Sequence, residues 1–345
     1  MNKILIRFPN WVGDVVMATS FLATVRNEFP AANISVALRE HLAPLLWGNP
    51  NISEIITVTK SDEHDLKNIL KWAHALREKK FDAAFILPIS FSSALPVYIA
   101  GIPVRIGWKT DGRWLLINKG INRDRPFSRR LLTDQYRDLL EAAAPGKEIK
   151  KTAPRLYITN MHRDMASQAL RRSDIMLLRR PVIAINPSAT FGPSKKWIPL
   201  RYGWVIEQLK RRTKGSVILV GGAGDALDLE YICGISGGCS HGCFVGSAAS
   251  GLAELTGILS RVDLVISNDT GAAHMAAALG RPTLTIFGAS DPLWTPPQGA
   301  KARLIYHPAE CSPCFKPECR QKRHLCMENV LQRDVLETAL GMLEK

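Results

Sequence analysis

The sequence of 345 residues has no long apolar run. Its longest ones, AAFIL at 83–87 and SVILVGG at 216–222, are far shorter than the about 18–20 residues that a membrane-spanning helix needs. We also expect no secretory signal, because MNKILIRFPNWVGDVV reaches Arg7 and Pro9 before any apolar stretch of signal length and is more typical of a first strand. We therefore expect no membrane span and a cytoplasmic protein.

Cysteine is scarce and clustered. Seven cysteines is an odd number, and four of them fall within sixteen residues near the C-terminus, at Cys311, Cys314, Cys319 and Cys326. This distribution favours thiol or metal chemistry over a secreted disulfide framework. With His324 the cluster has enough soft ligands for a tetrahedral structural zinc, but it has one CxxC pair where a zinc ribbon has two. Reduced thiols or a disulfide are the favoured interpretation, zinc is the alternative, and no catalytic role is expected.

Acidic residues are too few to balance the basic ones. Lys and Arg number 45 against 31 Asp and Glu, so the net charge is +14. This charge predicts an anionic partner. The candidates are nucleic acid, a phosphorylated small molecule and an anionic membrane surface. The stretch 105–137 is especially basic and forms either an anion-facing surface or an ordinary solvated face. Its basic residues are Arg105, Lys109, Arg113, Lys119, Arg123, Arg125, Arg129, Arg130 and Arg137.

Composition and patterning indicate a two-domain α/β protein. The chain is 46% hydrophobic, and its length suggests domains of roughly 150 residues. Short apolar runs alternate with longer amphipathic ones, which indicates strand and helix repeats and parallel sheets covered on both faces. We predict two Rossmann-like, doubly wound domains that face a cleft, 1–150 and 151–345, because Ala144-Pro145-Gly146-Lys147 interrupts the pattern. Whether the C-terminal helix packs back on the N-terminal domain is left open.

The same patterns predict individual elements. Strands are expected at Lys3–Phe8, Ile34–Leu38, Glu54–Val58, Ala83–Pro88, Val182–Asn186, Ser216–Val220, Leu264–Ser267 and Thr283–Phe287. Helices are expected at Val15–Glu28, Asp65–Lys79, Leu131–Ala144, Tyr202–Arg212, Leu252–Arg261 and Gly271–Leu279. Because ligands of parallel sheets bind outside the carboxyl ends of the strands, the loops after the strands should hold the chemistry.

The loop after the first strand places a carboxylate at the start of a helix. Pro9-Asn10-Trp11-Val12-Gly13-Asp14 leads directly into an apolar helical pattern. One interpretation is that Asp14 caps this helix. The other is that it acts as a general base, since a carboxylate can take the proton from an attacking sugar hydroxyl.

A second loop, PSATFGPSKKW at 187–197, follows the strand VIAIN. Small residues let the backbone approach a ligand, and Lys195 and Lys196 supply positive charge that can neutralise a diphosphate. The spacing GxxxxGK[ST] of a P-loop is absent, so ATP hydrolysis is not indicated. An ordinary loop without ligand is the alternative.

Two further loops follow strands in the second half. GGAGD at 221–225 does not fit GxGxxG, and its Asp225 either accepts hydrogen bonds from ribose hydroxyls or caps a helix. SNDTGAAHM at 267–275 places Thr270 and backbone amides at a helix N-terminus, where the dipole favours phosphate. His274, one turn later, either reaches the same ligand or is a packed core residue, while Asp269 caps the helix or orients sugar hydroxyls.

Four sequence blocks resemble one enzyme family. SNDTGAAHMAAALGRPTLTIFGASDP and ILIRFPNWVGDVVMATSFLATVR are similar to motifs of the lipopolysaccharide heptosyltransferases, the ADP-heptose-dependent glycosyltransferases of family 9. ATFGPSKKWIP and CSPCFKPECRQKRHLCMENV are more similar to heptosyltransferase II than to heptosyltransferase I. The resemblance spans the whole chain and implies the two-domain GT-B fold.

The resemblance implies inverting transfer of L-glycero-D-manno-heptose from ADP-heptose to the first heptose of the inner core on Kdo2-lipid A. Heptosyltransferase I or another core enzyme of the family is the alternative. Asp14 would be the base and Lys195 would stabilise the leaving diphosphate. No divalent ion is required in this family, and cationic groups and helix dipoles take its place. The residues expected to hold the donor are Ser188, Ala189, Thr190, Asp225, Asp269, Thr270, Gly271 and His274.

The implied acceptor is an anionic, phosphorylated glycolipid at the inner face of the cytoplasmic membrane. Basic residues of the N-terminal domain would dock at that surface, which makes the protein peripheral to the membrane. Trp11, Arg105 and Arg113 are the acceptor-binding candidates, while Trp108 and Trp114 either contact sugars and headgroups or are packed. The oligomeric state is left open.

Two other classes of protein are alternatives to a glycosyltransferase. A nucleic-acid-binding protein accounts for the net charge of +14, but the sequence has no recognised module or dense aromatic and basic motif. A nicotinamide-dependent oxidoreductase suits a doubly wound sheet, but GxGxxG with an acidic partner about 20 residues later is absent.

Overall fold

The computed structural model describes residues 1–63, 65–122, 130–146, 148–173, 179–237 and 251–344, together with the backbone of 243–245. Arg123, Arg125 and Arg129 of the basic stretch and Lys147 of the expected boundary lie outside the described residues. Within the described ranges, no helix is both long and apolar enough to cross a membrane.

The chain forms two compact units, Met1–Pro154 and Arg155–Lys345. The division follows Pro154, whereas the sequence pattern places it after residue 150. Between the helix that ends at Ala143 and the one that begins at Asn160, the described residues form no helix or strand. No regular element therefore fixes the boundary within this connection.

The first unit is built on one parallel sheet. Its strands are β1 Lys3–Arg7, β2 Asn33–Arg39, β3 Glu54–Val58, β4 Ala83–Ile86, β5 Val104–Trp108 and β6 Lys119–Ile121. Its helices are α1 Val12–Glu28, α2 Leu66–Glu78, α3 Phe91–Ile99 and α4 Leu132–Ala143. The strand order is β3-β2-β1-β4-β5-β6. Leu5 of β1 lies opposite Ser35 on one side and Ala84 on the other, and β1 is buried after its first residue, as expected of a strand covered on both faces.

The second unit repeats the architecture. Its strands are β7 Val182–Asn186, β8 Ser216–Gly221, β9 Cys243–Val245, β10 Leu264–Asn268, β11 Thr283–Phe287 and β12 Ala302–Tyr306. Its helices are α5 Asn160–Arg172, α6 Pro199–Thr213, α7 Ala226–Ile235, α8 Gly251–Leu259, α9 Gly271–Ala278, α10 Leu325–Glu328 and α11 Gln332–Leu343. The parallel strands run in the order β12-β11-β10-β7-β8-β9.

The two sheets share one topology. Counted in chain order within each unit, both have the sequence 3-2-1-4-5-6 of a doubly wound sheet, in which the direction of winding reverses between the first and fourth strands. The reversal points lie between β1 and β4 in the first unit and between β7 and β10 in the second. The predicted class of two Rossmann-like α/β sheets is thus confirmed. Ligand sites are expected at the carboxyl ends of these two strand pairs.

Every predicted strand and helix is present, with ends that shift by at most three residues. The elements that the sequence missed have weak patterns. Helix α3 contains Pro96, which normally ends a helix, and β6 reads only KGI. Helix α5 begins with a capping box in which the side chain of His162, rather than the usual Glu or Gln, accepts the backbone N–H of Thr159.

The last helix packs within the second unit. Val335, Leu336 and Ala339 of α11 are buried in the apolar core that also contains Trp197 and Tyr202. The apolar face of α11 therefore contributes to the core of its own unit.

Candidate active site

The loop that follows β7 is fixed to β10 by a single buried amide. The Nδ2 group of Asn268, the last residue of β10, donates to the carbonyl oxygens of Pro187 at 2.7 Å and Ser188 at 3.2 Å. Its Oδ1 accepts from the backbone N–H of Trp197 at 3.1 Å and from the hydroxyl of Tyr202 at 2.8 Å. Both ends of the loop that carries Lys195 are therefore held at the reversal point of the second sheet.

The C-terminal segment holds the middle of the same loop. The backbone N–H of Ser194 donates to the carbonyl of Pro317 at 3.0 Å, and its hydroxyl donates to the carbonyl of Lys316. His324 donates from Nε2 to the carbonyl of Ser194 at 2.9 Å. Gly192 has a φ of 153° and lies so close to Pro317 that a Cβ atom would clash with its carbonyl. The loop is thus fixed from two sides, which pre-organises the lysine that it carries.

Lys195 forms an ion pair with Asp269. The distance from its Nζ to Oδ2 of the carboxylate is 2.5 Å, and the two side chains are 17% and 4% exposed. The hydroxyl of Ser290 donates to the same Oδ2 at 2.5 Å, and the Lys195 ammonium lies 5.1 Å from the ring centre of Phe191. A cation held in so dry a place acts on a nearby anion far more strongly than one in water. Ser290 was not among the predicted site residues.

His274 lies against this ion pair. Its Nε2 is 3.9 Å from Oδ1 of Asp269, and its side chain is buried. Burial lowers the pKa of His274 to about 4, with Asp269 opposing this shift and Lys195 adding to it. The imidazole is therefore neutral at neutral pH and can bind a ligand by hydrogen bonding but not by charge.

The N-terminus of α9 begins directly after Asp269. Thr270 is in the N-cap position, but its side chain makes no capping hydrogen bond. Its hydroxyl is instead 3.0 Å from that of Ser267 and donates to Oδ1 of Asn186 at 3.3 Å. The amide groups of the first turn, from Gly271 to Ala273, have no intrahelical acceptor. They make this a suitable place for a phosphate.

The other donor-binding candidates line the ends of β7 and β8. Ser188 and Ala189 are buried, and Thr190 is exposed. The two loops are adjacent, since a Cβ on Gly221 would come within 3.0 Å of Oγ of Ser188. The carboxylate of Asp225 accepts the backbone N–H of Gly222 at 2.9 Å, so the structure shows the capping alternative for this residue.

Asp14 occupies the matching position in the first unit. It is the third residue of α1 and does not cap it, because the helix begins at Val12 and Trp11 has the N-cap position. The loop before it is anchored by Arg7, which is buried and donates to Glu63 at 3.0 Å and to Oδ1 of Asn10 at 2.7 Å. The N-cap interpretation of Asp14 is wrong, and the carboxylate stands half-buried at the reversal point of the first sheet.

Arg113 does not present its charge to an acceptor. Its side chain is fully buried and donates to the carbonyl oxygens of Trp108 at 3.0 Å and Pro88 at 2.6 Å. Burial lowers the pKa of Arg113 to about 10. Arg105 likewise donates to the carbonyls of Leu116 at 2.7 Å and Ile102 at 2.6 Å. The prediction of acceptor binding is corrected for Arg113, whose guanidinium is buried against backbone acceptors. For Arg105, which is half-buried, it stays a prediction.

Several basic residues of the stretch 105–137 are engaged by partners in its described part. Besides the two arginines above, Arg130 pairs with Asp138 at 2.9 Å, and Arg137 pairs with Asp134 at 2.7 Å. Of its described basic residues, Lys109, Lys119 and Arg130 are exposed.

The C-terminal segment 311–326, with its four cysteines, carries free thiols. Cys311 and Cys319 are exposed, Cys314 is intermediate and Cys326 is buried. Burial raises the pKa of the Cys326 thiol. In the part of the chain that the structure describes, no three His, Cys, Asp or Glu side chains are grouped as a metal site requires. The zinc alternative therefore has no support from the geometry, and the segment acts on the site through its contacts with Ser194.

Comparisons with known proteins agree on one family. The family model described as glycosyltransferase family 9 (heptosyltransferase) matches residues 69–325. Lipopolysaccharide heptosyltransferase 2 of Salmonella typhimurium is 30% identical over 99% of both chains, and the Escherichia coli protein of that name is 30% identical over 99% of this chain and 98% of its own.

A solved structure extends the likeness to three dimensions. The structure of E. coli ADP-heptose LPS heptosyltransferase II is 28% identical, with a TM-score of 0.81 over 99% of this chain and 98% of its own. The predicted GT-B fold is confirmed by this match, and the nucleic-acid-binding and oxidoreductase alternatives lose their basis. The chain belongs to glycosyltransferase family 9, the heptosyltransferases.

Proposed function

We propose that this protein adds the second heptose to the inner core of lipopolysaccharide. The donor is ADP-L-glycero-D-manno-heptose, the acceptor is the first heptose on Kdo2-lipid A, and the reaction inverts the anomeric carbon. Support comes from the two relatives named lipopolysaccharide heptosyltransferase 2 and from the blocks ATFGPSKKWIP and CSPCFKPECRQKRHLCMENV. Transfer of the first heptose, or another core transfer of family 9, is the alternative.

The observation that carries the proposal is the buried Lys195–Asp269 pair at the reversal point of the second sheet. We assign ADP-heptose to this unit. The diphosphate becomes more negative as its bond to the sugar breaks, and it needs a fixed positive potential at that moment. Lys195 supplies it, together with the amides that open α9 beyond Gly271. Neutral His274 and the carboxylate of Asp269 are left to hydrogen-bond the heptose.

We assign acceptor activation to Asp14. The acceptor hydroxyl gives its proton to this carboxylate while its oxygen forms a bond to the anomeric carbon of the donor, and the bond from that carbon to the diphosphate oxygen breaks. ADP leaves with the electron pair. Because the attacking oxygen and the leaving group are on opposite faces of the sugar, the configuration inverts.

The acceptor also fixes where the enzyme works. A glycolipid with its lipid in the cytoplasmic membrane places the reaction at the inner face of that membrane, and a protein with a net charge of +14 is attracted to the anionic surface there. We propose a peripheral location for the protein on this basis.

The test is ADP release from ADP-heptose by the purified protein with two alternative acceptors. Release with singly heptosylated Kdo2-lipid A, and none with bare Kdo2-lipid A, is the expected result. Release with the bare acceptor would make the protein the first transferase. Absence of release with both would contradict the donor assignment.

A further inference from the structure

Large apolar side chains are exposed on two neighbouring loops of the first unit. Ile89 and Phe91 follow β4 and are 44% and 42% exposed, while Trp114 and Leu115 follow β5 and are 62% and 65% exposed. We call these four residues the apolar rim. They lie at the carboxyl end of the sheet, the end at which Asp14 follows β1, and β1, β4 and β5 are adjacent strands.

The two loops are joined into one fixed surface. Thr110 donates from its hydroxyl to the carbonyl of Ile89 at 3.0 Å, and the backbone N–H of Phe91 donates to the carboxylate of Asp111 at 2.7 Å. The buried guanidinium of Arg113 spans both loops, since it donates to the carbonyls of Pro88 at 2.6 Å and Trp108 at 3.0 Å. The two loops are therefore joined by hydrogen bonds, and the rim residues that they carry are exposed together.

Such an exposed cluster indicates a partner. Tryptophan, aliphatic side chains and lysine together are the residues that proteins place at a bilayer interface. Lys109 stands exposed on the loop that follows β5, and the net charge of +14 favours an anionic surface over a second, equally positive copy of the chain. Charge complementarity therefore selects an anionic lipid bilayer as the occupant.

We propose that the apolar rim is the surface by which the protein docks on an anionic membrane. The inference rests on the proposed function for its biological setting, because a membrane-held acceptor has to reach the loop that carries Asp14. The rim enters the headgroup region, Lys109 meets the anionic lipids, and the end of the sheet with Asp14 turns toward the bilayer.

The first test is co-sedimentation with vesicles. Wild-type protein is mixed with vesicles of phosphatidylcholine alone or with equal parts of phosphatidylglycerol, and is compared with Trp114→Ser, Leu115→Ser and the control Leu70→Ser. Leu70 is an exposed leucine of α2, outside the rim. We expect binding to the anionic vesicles that is about tenfold weaker in each rim variant, as loss of a buried apolar side chain implies, and unchanged in Leu70→Ser. Equal unfolding midpoints confirm that the variants fold.

The second test separates docking from catalysis. ADP release is measured with a deacylated, water-soluble heptosylated acceptor and with the intact acceptor in anionic vesicles. Rim variants should match the wild type on the soluble acceptor and fall about tenfold on the vesicle-held one. If neither the wild type nor the variants release ADP with the soluble acceptor, the proposed function is contradicted. The co-sedimentation result then tests the rim by itself.

Three outcomes would overturn the inference. They are no binding of the wild type to anionic vesicles, equal binding of wild-type and rim variants, and a self-association of the wild type that the rim substitutions abolish. The last outcome, seen by sedimentation velocity, would make a second copy of the chain the occupant.

Discussion

The two sheets of this protein have the same strand order but opposite surroundings at their reversal points. In the second unit, the end of the sheet is polar and closed, with Lys195, Ser290 and His274 grouped around Asp269 and largely buried. In the first unit, Asp14 is half-buried beside exposed Trp11. One topology thus supports a dry, charged end and an open, apolar one.

The difference fits the division of tasks that we propose for the two units. A leaving diphosphate needs a cation whose position and charge are set in advance, and a closed network provides that. A base needs access to an acceptor hydroxyl, and an open loop provides that. In the first unit the buried charge of Arg7 anchors the loop, and the chemistry that we propose there depends on the half-buried carboxylate of Asp14.

Removing the base should have the largest effect. Asp14→Asn keeps the size of the side chain but cannot accept the proton, so we expect kcat to fall by about a hundredfold to ten-thousandfold. The measurement is ADP release at saturating donor and acceptor, with thermal unfolding as the control for folding. Activity within a few-fold of the wild type would move the base to another residue.

Removing the Lys195 cation of the second unit should have the second-largest effect on kcat. Lys195→Ala is expected to lower kcat by about a hundredfold to a thousandfold, as loss of one pre-organised electrostatic donor does. Lys196→Ala is the matched control, because Lys196 pairs with Asp228 at 2.5 Å and not with Asp269. Equal losses in both variants would show that general positive charge, and not the position of Lys195, matters.

The buried histidine should make the second unit sensitive to acid. Because the pKa of His274 is about 4 in the folded chain and 6.5 ordinarily, the unfolded chain binds the extra proton first. Its contribution to stability is complete above pH 6.5 and is lost as the pH falls toward about 4, by at most about 3 kcal/mol. Urea unfolding of the wild type and His274→Gln should show this slope in the wild type alone. Parallel pH profiles would contradict it.

The hydroxyl behind the ion pair should have the smallest effect. Ser290→Ala removes a hydrogen bond to the Asp269 carboxylate, and loss of one bond to a charged group predicts about tenfold lower kcat/KM for ADP-heptose. Ser290→Thr keeps a hydroxyl and should restore most of this loss. If both variants behave alike, the hydroxyl is not what matters at this position.

The sequence predicted the central strands and the loops of the site but not how their side chains meet. Strands such as VIAIN are buried on both faces and read as apolar runs, whereas the edge strand β12 is partly exposed and has no clear pattern. Lys195 and Asp269 were both candidates, but they are 74 positions apart, and no local signal reveals that they form a pair. Ser290 was missed because a single serine after a strand has no distinguishing pattern.

The sequence could not predict the contacts of two arginine side chains, because their partners are backbone atoms. Arg113 and Arg105 were predicted to face an acceptor, yet each donates to backbone carbonyls. A carbonyl is present at every residue, so the sequence contains no sign of such a contact. Asp14 was placed correctly near a helix start, but the helix begins at Val12, three residues before the predicted Val15, so Asp14 lies inside its first turn.

The most direct test of the division between the two ends is binding of ADP-heptose, measured by calorimetry without acceptor, to the wild type, Asp14→Ala and Lys195→Ala. We predict that Asp14→Ala binds the donor as tightly as the wild type does, although it no longer turns over, and that Lys195→Ala binds it at least about tenfold more weakly. Loss of donor binding in Asp14→Ala, or unchanged binding in Lys195→Ala, would contradict the account.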